Sequence, residues 1–149
     1  MSIGEFCNRA VIVADRDCNV LEAARLMRHH HVGTVVVVGV GDGENKAIGI
    51  VTDRDLVVEV MAPNLDPETV TVGDIMADPL CSVREKDGVF DAIRLMRQHG
   101  VRRIPVVDDN GYLQGILTID DVISLLAEEM DELAKSIVRE QAKEFQQRK

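Results

Sequence analysis

Two stretches of the chain end in the same pattern, Gly-x-x-Thr-x-x-Asp. It occurs as Gly49, Thr52 and Asp55, and again as Gly115, Thr118 and Asp121. A carboxylate at such a place accepts two hydrogen bonds from a vicinal diol such as a ribose. The glycine lets another group approach the backbone closely. If the threonine closes a strand and the aspartate lies in the first helical turn, the helix N-terminus adds unpaired N–H groups and a field that favours an anion. The same Thr-x-x-Asp spacing is also that of a helix N-cap, with Asp in place of the usual Glu. Both readings stand together, since a capping pair can face a ligand.

The elements that must position these residues are repeated with them. Residues 23–38 read AARLMRHHHVGTVVVV and residues 92–107 read AIRLMRQHGVRRIPVV, 69 positions apart. The Gly-x-x-Thr-x-x-Asp segments lie 66 positions apart, so the internal loop is three residues longer in the first copy. Repetition at this length means one structural unit used twice. Each copy reads as strand, helix, strand, strand, helix. The first copy predicts a strand over 11–13 and a helix opened by Asn19 and Glu22 and ending in His29–His31. An unbroken β-branched run over 34–40 follows, the mark of a strand covered on both faces. A loop, a strand over 47–52 and a helix over 53–61 complete the copy. Pro63, Asn64 and Pro67 punctuate a linker that leads to a short helix over 72–76. The second copy predicts a strand near 80–83, a helix over 89–99, strands over 103–107 and 113–118, and a helix from 119 to about 145. The expected fold is α/β (α+β in some schemes), two βαββα repeats with helices covering one face of a small mixed sheet. The expected divisions are repeat one at 5–62, a linker at 63–76, repeat two at 77–130 and a helical extension at 131–149.

Composition sets the limits. A unit of about 60 residues is marginal alone, so the copies are expected to pack together. The chain of 149 residues is 46% hydrophobic but only 3% aromatic, which describes an aliphatic core suited to buried strands. A formal net charge of −9 repels a phosphate backbone and argues against nucleic-acid binding, while leaving room for one small anion where cations gather. No apolar run is long enough to span a bilayer, and the first ten residues lack a secretory signal's apolar stretch. Cys7, Cys18 and Cys81 form neither a disulfide framework nor a zinc pattern. These features predict a cytoplasmic protein with reduced thiols.

The order of elements, with GVRRIPVVDDNGYLQGILTIDDV in one copy and VGTVVVV…AIGIVTDRDL in the other, resembles a tandem pair of cystathionine-β-synthase (CBS) domains, a Bateman module. The likeness covers roughly residues 5–130. It implies a pseudo-twofold module with two clefts between the repeats, which in the family often bind AMP, ADP, ATP, NAD(H) or S-adenosylmethionine. It implies that Thr52 and Asp55 hold one ribose, and Thr118 and Asp121 the other. Adenine would lie near Val32, Gly33, Thr34 and Val35 in one cleft, and near Val101, Ile104 and Pro105 in the other. The copies differ where phosphate would sit. Repeat two has Arg102 and Arg103 where repeat one has Gly33 and Thr34, and repeat one has Asp53 and Arg54 where repeat two has Ile119 and Asp120. Arg103, with Arg102 and Arg54, is therefore the expected phosphate grip. The clefts are not equivalent, and the repeat-two cleft is expected to be the tighter. The competing reading for the arginine pair is a solvated strand face or an ion pair with Asp108 or Asp109. The resemblance further implies no catalysis, no obligatory cofactor, an adenine nucleotide (AMP or ATP) as regulatory ligand, a homodimer forming a four-repeat disk, and an effector protein acted on in trans. The alternative is a non-catalytic scaffold with unoccupied clefts.

Other signals carry less. Three consecutive histidines on a helix point in different directions and cannot converge on one metal. Gly39-x-Gly41-x-Gly43 leads into a strand, whereas a dinucleotide fingerprint needs a helix there. Asp15-x-Asp17-x-Asn19 begins like a calcium loop but has Val20 and Leu26 where glycine and an acid are required. No Ser-His-Asp or Cys-His arrangement stands out. In the tail, Val122, Leu126, Met130, Leu133 and Ile137 form an apolar stripe. Beyond Met130 it outlasts the repeat. It reads as a frayed, solvated helix or as a contact with a second chain or the first repeat.

Overall fold

Five consecutive residues with no exposed side of their own define the centre of the first repeat. Strand β2 (Thr34–Val38) is buried along its whole length. Val35 and Val37 point into a cluster with Ala14, Ala23, Met27, Val51 and Val72, while Val36 and Val38 pack with Ile116. Helices cover one face of this strand and the second repeat covers the other, the physical reason a run of valines replaces the usual alternation.

A computed structural model describes residues 1–40, 45–77 and 79–148. The chain divides into two compact units, residues 1–117 and 118–149. In the first unit, after a short 3-10 turn (Ile3–Glu5), come β1 (Val13–Asp15), α1 (Val20–His30), β2 and β3 (Ala47–Thr52). Helix α2 starts at Asp53–Asp55 and runs on as a π-helix over Leu56–Met61. Then follow α3 (Val72–Ile75), β4 (Val83–Arg84), α4 (Val89–His99), β5 (Arg103–Val107) and β6 (Leu113–Thr118). The strands make two three-stranded sheets, β1-β2-β3 and β4-β5-β6. β1 runs parallel to β2, β3 antiparallel to β2, and β4 parallel to β5. This is the α/β class expected from the repeats.

The differences from expectation are local. β1 covers Val13–Asp15 and β4 covers Val83–Arg84, each later than the apolar residues suggested. Both are short parallel edge strands whose extent is set by pairing with β2 and β5. The loop that carries Gly41 and Gly43 falls mostly at 41–44, outside the described residues. The calcium-like residues serve turns: Asp15 Oδ1 accepts from Asp17 N, and the Asn19 side chain accepts from Glu22 N at 2.9 Å as an N-cap. The same left-handed position closes both long helices, with His31 (φ 54°) in the first copy and Gly100 (φ 64°) in the second.

The duplication reaches further upstream than the strands show. Ser2-Ile3-Gly4-Glu5 reappears 69 positions on as Thr71-Val72-Gly73-Asp74. Each segment docks on the opposite repeat. Gly4 N donates to Glu85 O and Gly73 N to Arg16 O, while Ser2 bridges Gly88 and Asn19 bridges Thr71. Ile3 and Val72 are wholly buried at these contacts. The N-terminal segment belongs to the core of repeat two, and the linker helix to the core of repeat one.

Cys18 lies beside this exchange. Burial pushes its thiol up to about 11, helped by its bond to Glu22. Its thiolate fraction at pH 8 is therefore about 100-fold below that of the unfolded chain, and iodoacetamide should label it correspondingly slowly. Peptide mass spectrometry of native and urea-unfolded protein checks this. Because folding raises this pKa, the thiol's contribution to stability is constant below about pH 9 and declines as pH rises towards about 11.

The second unit is one helix, α5 (Ile119–Gln147), of 29 residues. The extension expected to begin at 131 is continuous with it.

Candidate functional site

Both Gly-x-x-Thr-x-x-Asp motifs close as helix caps. Asp55 N donates to Thr52 Oγ1 at 3.3 Å, and Thr52 N donates to Asp55 Oδ2 at 2.8 Å. In the second unit Asp121 N donates to Thr118 Oγ1 at 3.1 Å, and Thr118 N to Asp121 Oδ2 at 3.3 Å. The same box recurs at Thr71 and Asp74, at 3.0 and 3.2 Å. Capping is thus a general device of this chain, set by sequence spacing alone. Asp55 keeps one oxygen outside the box, since Oδ1 makes no protein hydrogen bond among the described residues.

What distinguishes Thr52 and Asp55 is the space before them. A cavity of about 320 Å³ is lined by Ile50 and Thr52–Asp55 from the first repeat and by Ala77 and Gly100–Arg103 from the second. Its volume lies at the small end of the range for small-molecule sites. The expected ribose grip of one copy and the expected phosphate arginines of the other therefore line a single cavity. Among the described residues the lining carries three arginines, Arg54, Arg102 and Arg103, and two carboxylates, Asp53 and Asp55, an excess of one positive charge. The arginine pair cannot be assigned to a repeat-two cleft alone, because the Thr and Asp that share its cavity come from repeat one.

Gly33 and Asp53 shape the arginine end. Asp53 N donates to Gly33 O, and Asp53 Oδ1 accepts from Arg54 N. A Cβ on Gly33 would lie 2.9 Å from Asp53 Oδ2 and 3.1 Å from Arg103 Nη2. Glycine in the first copy thus makes room for an arginine from the second. The ion pair weighed for Arg103 does not form. Asp109 is held by Lys86 at 2.7 Å and by Arg84 at 3.7 Å, which keeps its carboxyl below the usual range, while Asp108 Oδ1 accepts from Asn110 N and Tyr112 N.

The apolar candidates divide. Val101 lines the cavity, whereas Val35, Ile104 and Pro105 are fully buried in the strands. Val32 and Gly33 are half-buried at the entry to β2. Thr34 is buried and its hydroxyl has no partner, an uncompensated polar group costing about 1–3 kcal/mol. Thr118 and Asp121 lie in the second unit. Asp53, Ile50, Ala77 and Gly100 were not among the expected contacts. Only Asp53 had a signal in the sequence, as a position where the copies differ.

The CBS domain family matches residues 3–62 and 72–128. The chain belongs to the CBS domain family. A CBS relative of similar build is an uncharacterized protein of Methanopyrus kandleri, 37% identical over 147 residues, covering 99% of this chain and 71% of that one. Hypoxic response protein I, solved with two coordinated zinc ions, is similar in structure with a TM-score of 0.74 and 28% identity, over 83% of this chain and 98% of that one. A CBS domain protein of Pyrobaculum aerophilum, solved in complex with AMP, gives a TM-score of 0.73 and 26% identity, over 81% and 89% of the two chains. In the present CBS pair, no group of three or more His, Cys, Asp or Glu side chains that could hold a metal occurs among the described residues. His29 and His30 instead stack edge to face at 4.8 Å. No helix among the described residues is long and apolar enough to cross a membrane.

Proposed function

We propose that this CBS pair is a regulatory module of the cytoplasm that binds an adenine nucleotide, AMP foremost, and acts on a partner protein in trans without catalysis of its own. The observation that carries this reading is the composite cavity. A diol-accepting carboxylate, Asp55, and three arginines line one small space. Among the described lining residues, the excess of a single positive charge suits one phosphate better than three, and the volume suits a mononucleotide better than a dinucleotide. The AMP complex of the Pyrobaculum relative supports the ligand class.

The regulatory logic follows from where the lining comes from. A ligand that touches Thr52 and Asp55 of one repeat and Arg103 of the other ties the two repeats together. It shifts their equilibrium only as far as it prefers one arrangement over the other. A homodimer arranged as a four-repeat disk would carry that shift to the partner.

Calorimetric titration with AMP, ADP, ATP, NADH and S-adenosylmethionine tests the proposal. AMP should bind below millimolar, and Asp55→Asn should weaken it about 10-fold, the size of a lost hydrogen bond to a charged group. The asparagine oxygen can still accept from Thr52 N, so the fold should persist. If none of the five binds below millimolar, the sensing idea fails. The scaffold reading with unoccupied clefts would then be preferred. It draws its support from the capping boxes, which account for Thr52, Asp55, Thr118 and Asp121 without any ligand.

A further inference from the structure

Helix α5 presents an apolar face that its own unit does not cover. Ile123, Leu126, Met130, Leu133 and Ile137 follow steps of three and four, the spacing of a coiled-coil seam. They are 59, 39, 71, 67 and 57% exposed. Val122 is the one buried residue among those described in the helix. In proteins most of a helix's stability comes from packing such an amphipathic face, and here that face is open.

Charge along the helix indicates what covers it. Residues 118–132 hold six acids and no base, whereas residues 133–149 hold five bases and two acids. Part of this bias complements the helix dipole, and pairs such as Lys135 with Asp131 at 2.7 Å use a little of it locally. Two parallel copies would set acid against acid. Two antiparallel copies set the acidic half of each helix against the basic half of the other, and their dipoles oppose as well. The stripe allows the same register. With Met130 opposite Leu133 of a second copy and Leu126 opposite its Ile137, the two kinds of seam position alternate across the interface, as antiparallel pairing requires. Ala127 and Ala134 flank the seam and let the backbones approach.

We infer that two copies of this chain associate through an antiparallel pairing of α5. The proposal does not depend on which ligand the cavity takes. Sedimentation equilibrium on the full chain should show an assembly whose mass halves when Met130→Glu and Leu133→Glu are introduced together, and whose association weakens as salt rises. Ellipticity and nucleotide titration of the same variant confirm that the first unit is intact. Orientation is read in a background with Cys7, Cys18 and Cys81 replaced by alanine. Leu126→Cys mixed with Ile137→Cys should form a disulfide between chains. Leu126→Cys alone should not, since antiparallel pairing holds the two 126 positions about 16 Å apart. An assembly mass unchanged by the glutamates, a monomer in the parent chain, or ready cross-linking of Leu126→Cys to itself would overturn the inference.

Discussion

Arg103→Ala is expected to weaken AMP binding about 10- to 100-fold and to leave the melting temperature nearly unchanged. Charge-assisted hydrogen bonds to a phosphate contribute about 1.5–3 kcal/mol, which sets the range. Stability should be spared because Arg103 is half-buried at the cavity wall and makes no ion pair among the described residues. Its guanidinium lies beside Gly33, where a side chain would displace it. Arg103→Lys should recover only part of the affinity, because an ammonium lacks the planar fork that grips two phosphate oxygens. Calorimetry paired with thermal melting checks both variants. A loss of stability matching the loss of binding would show that the arginine serves the fold instead.

The second large effect is on the fold. Gly115→Ala is expected to cost about 2 kcal/mol or more, a fall of about 4–8 °C in melting temperature. A Cβ there would lie 2.7 Å from Asn8 O and 2.8 Å from Cys7 Sγ. Asn8 exchanges both backbone hydrogen bonds with Ile116, at 3.0 and 2.8 Å, so the obstruction would lift the N-terminal segment off repeat two. Gly49 is the matching glycine of the first repeat, but what faces it is the side chain of Met76. Gly49→Ala should therefore be largely rescued by Met76→Ala, which removes the two closest atoms and leaves only Cβ at 3.0 Å, whereas Cys7→Ala should not rescue Gly115→Ala, because the main-chain oxygen stays. Urea unfolding of the four variants decides the point. Equal rescue of both glycines would show that the N-terminal segment is not anchored through its backbone.

These two glycines also show how far the sequence could be read. Their place in Gly-x-x-Thr-x-x-Asp was visible, and with it the caps, because a threonine and an aspartate three residues apart meet within one helical turn. The unbroken valines of β2 announced a strand covered on both faces. The ends of β1 and β4 were not legible, since two- and three-residue parallel strands take their limits from a partner distant in sequence. Nor was the role of Ser2–Glu5 or of Thr71–Asp74 as an exchanged piece of core.

By itself, then, the sequence determined what is local or repeated: two copies of one α/β unit, their helix caps, their central strands and the amphipathic stripe of α5. Each of these follows from side chains a few positions apart or from two segments read against each other. Tertiary structure alone decided which copy meets which. Thr52 and Asp55 share a cavity with Arg102 and Arg103 of the other repeat, and the N-terminal segment bridges through Asn8 to Ile116 of β6, more than a hundred residues away. Two copies that nearly match can be paired in more than one way. Only the packing of both around the shared core selects the arrangement that lets Gly33 yield its space to Arg103.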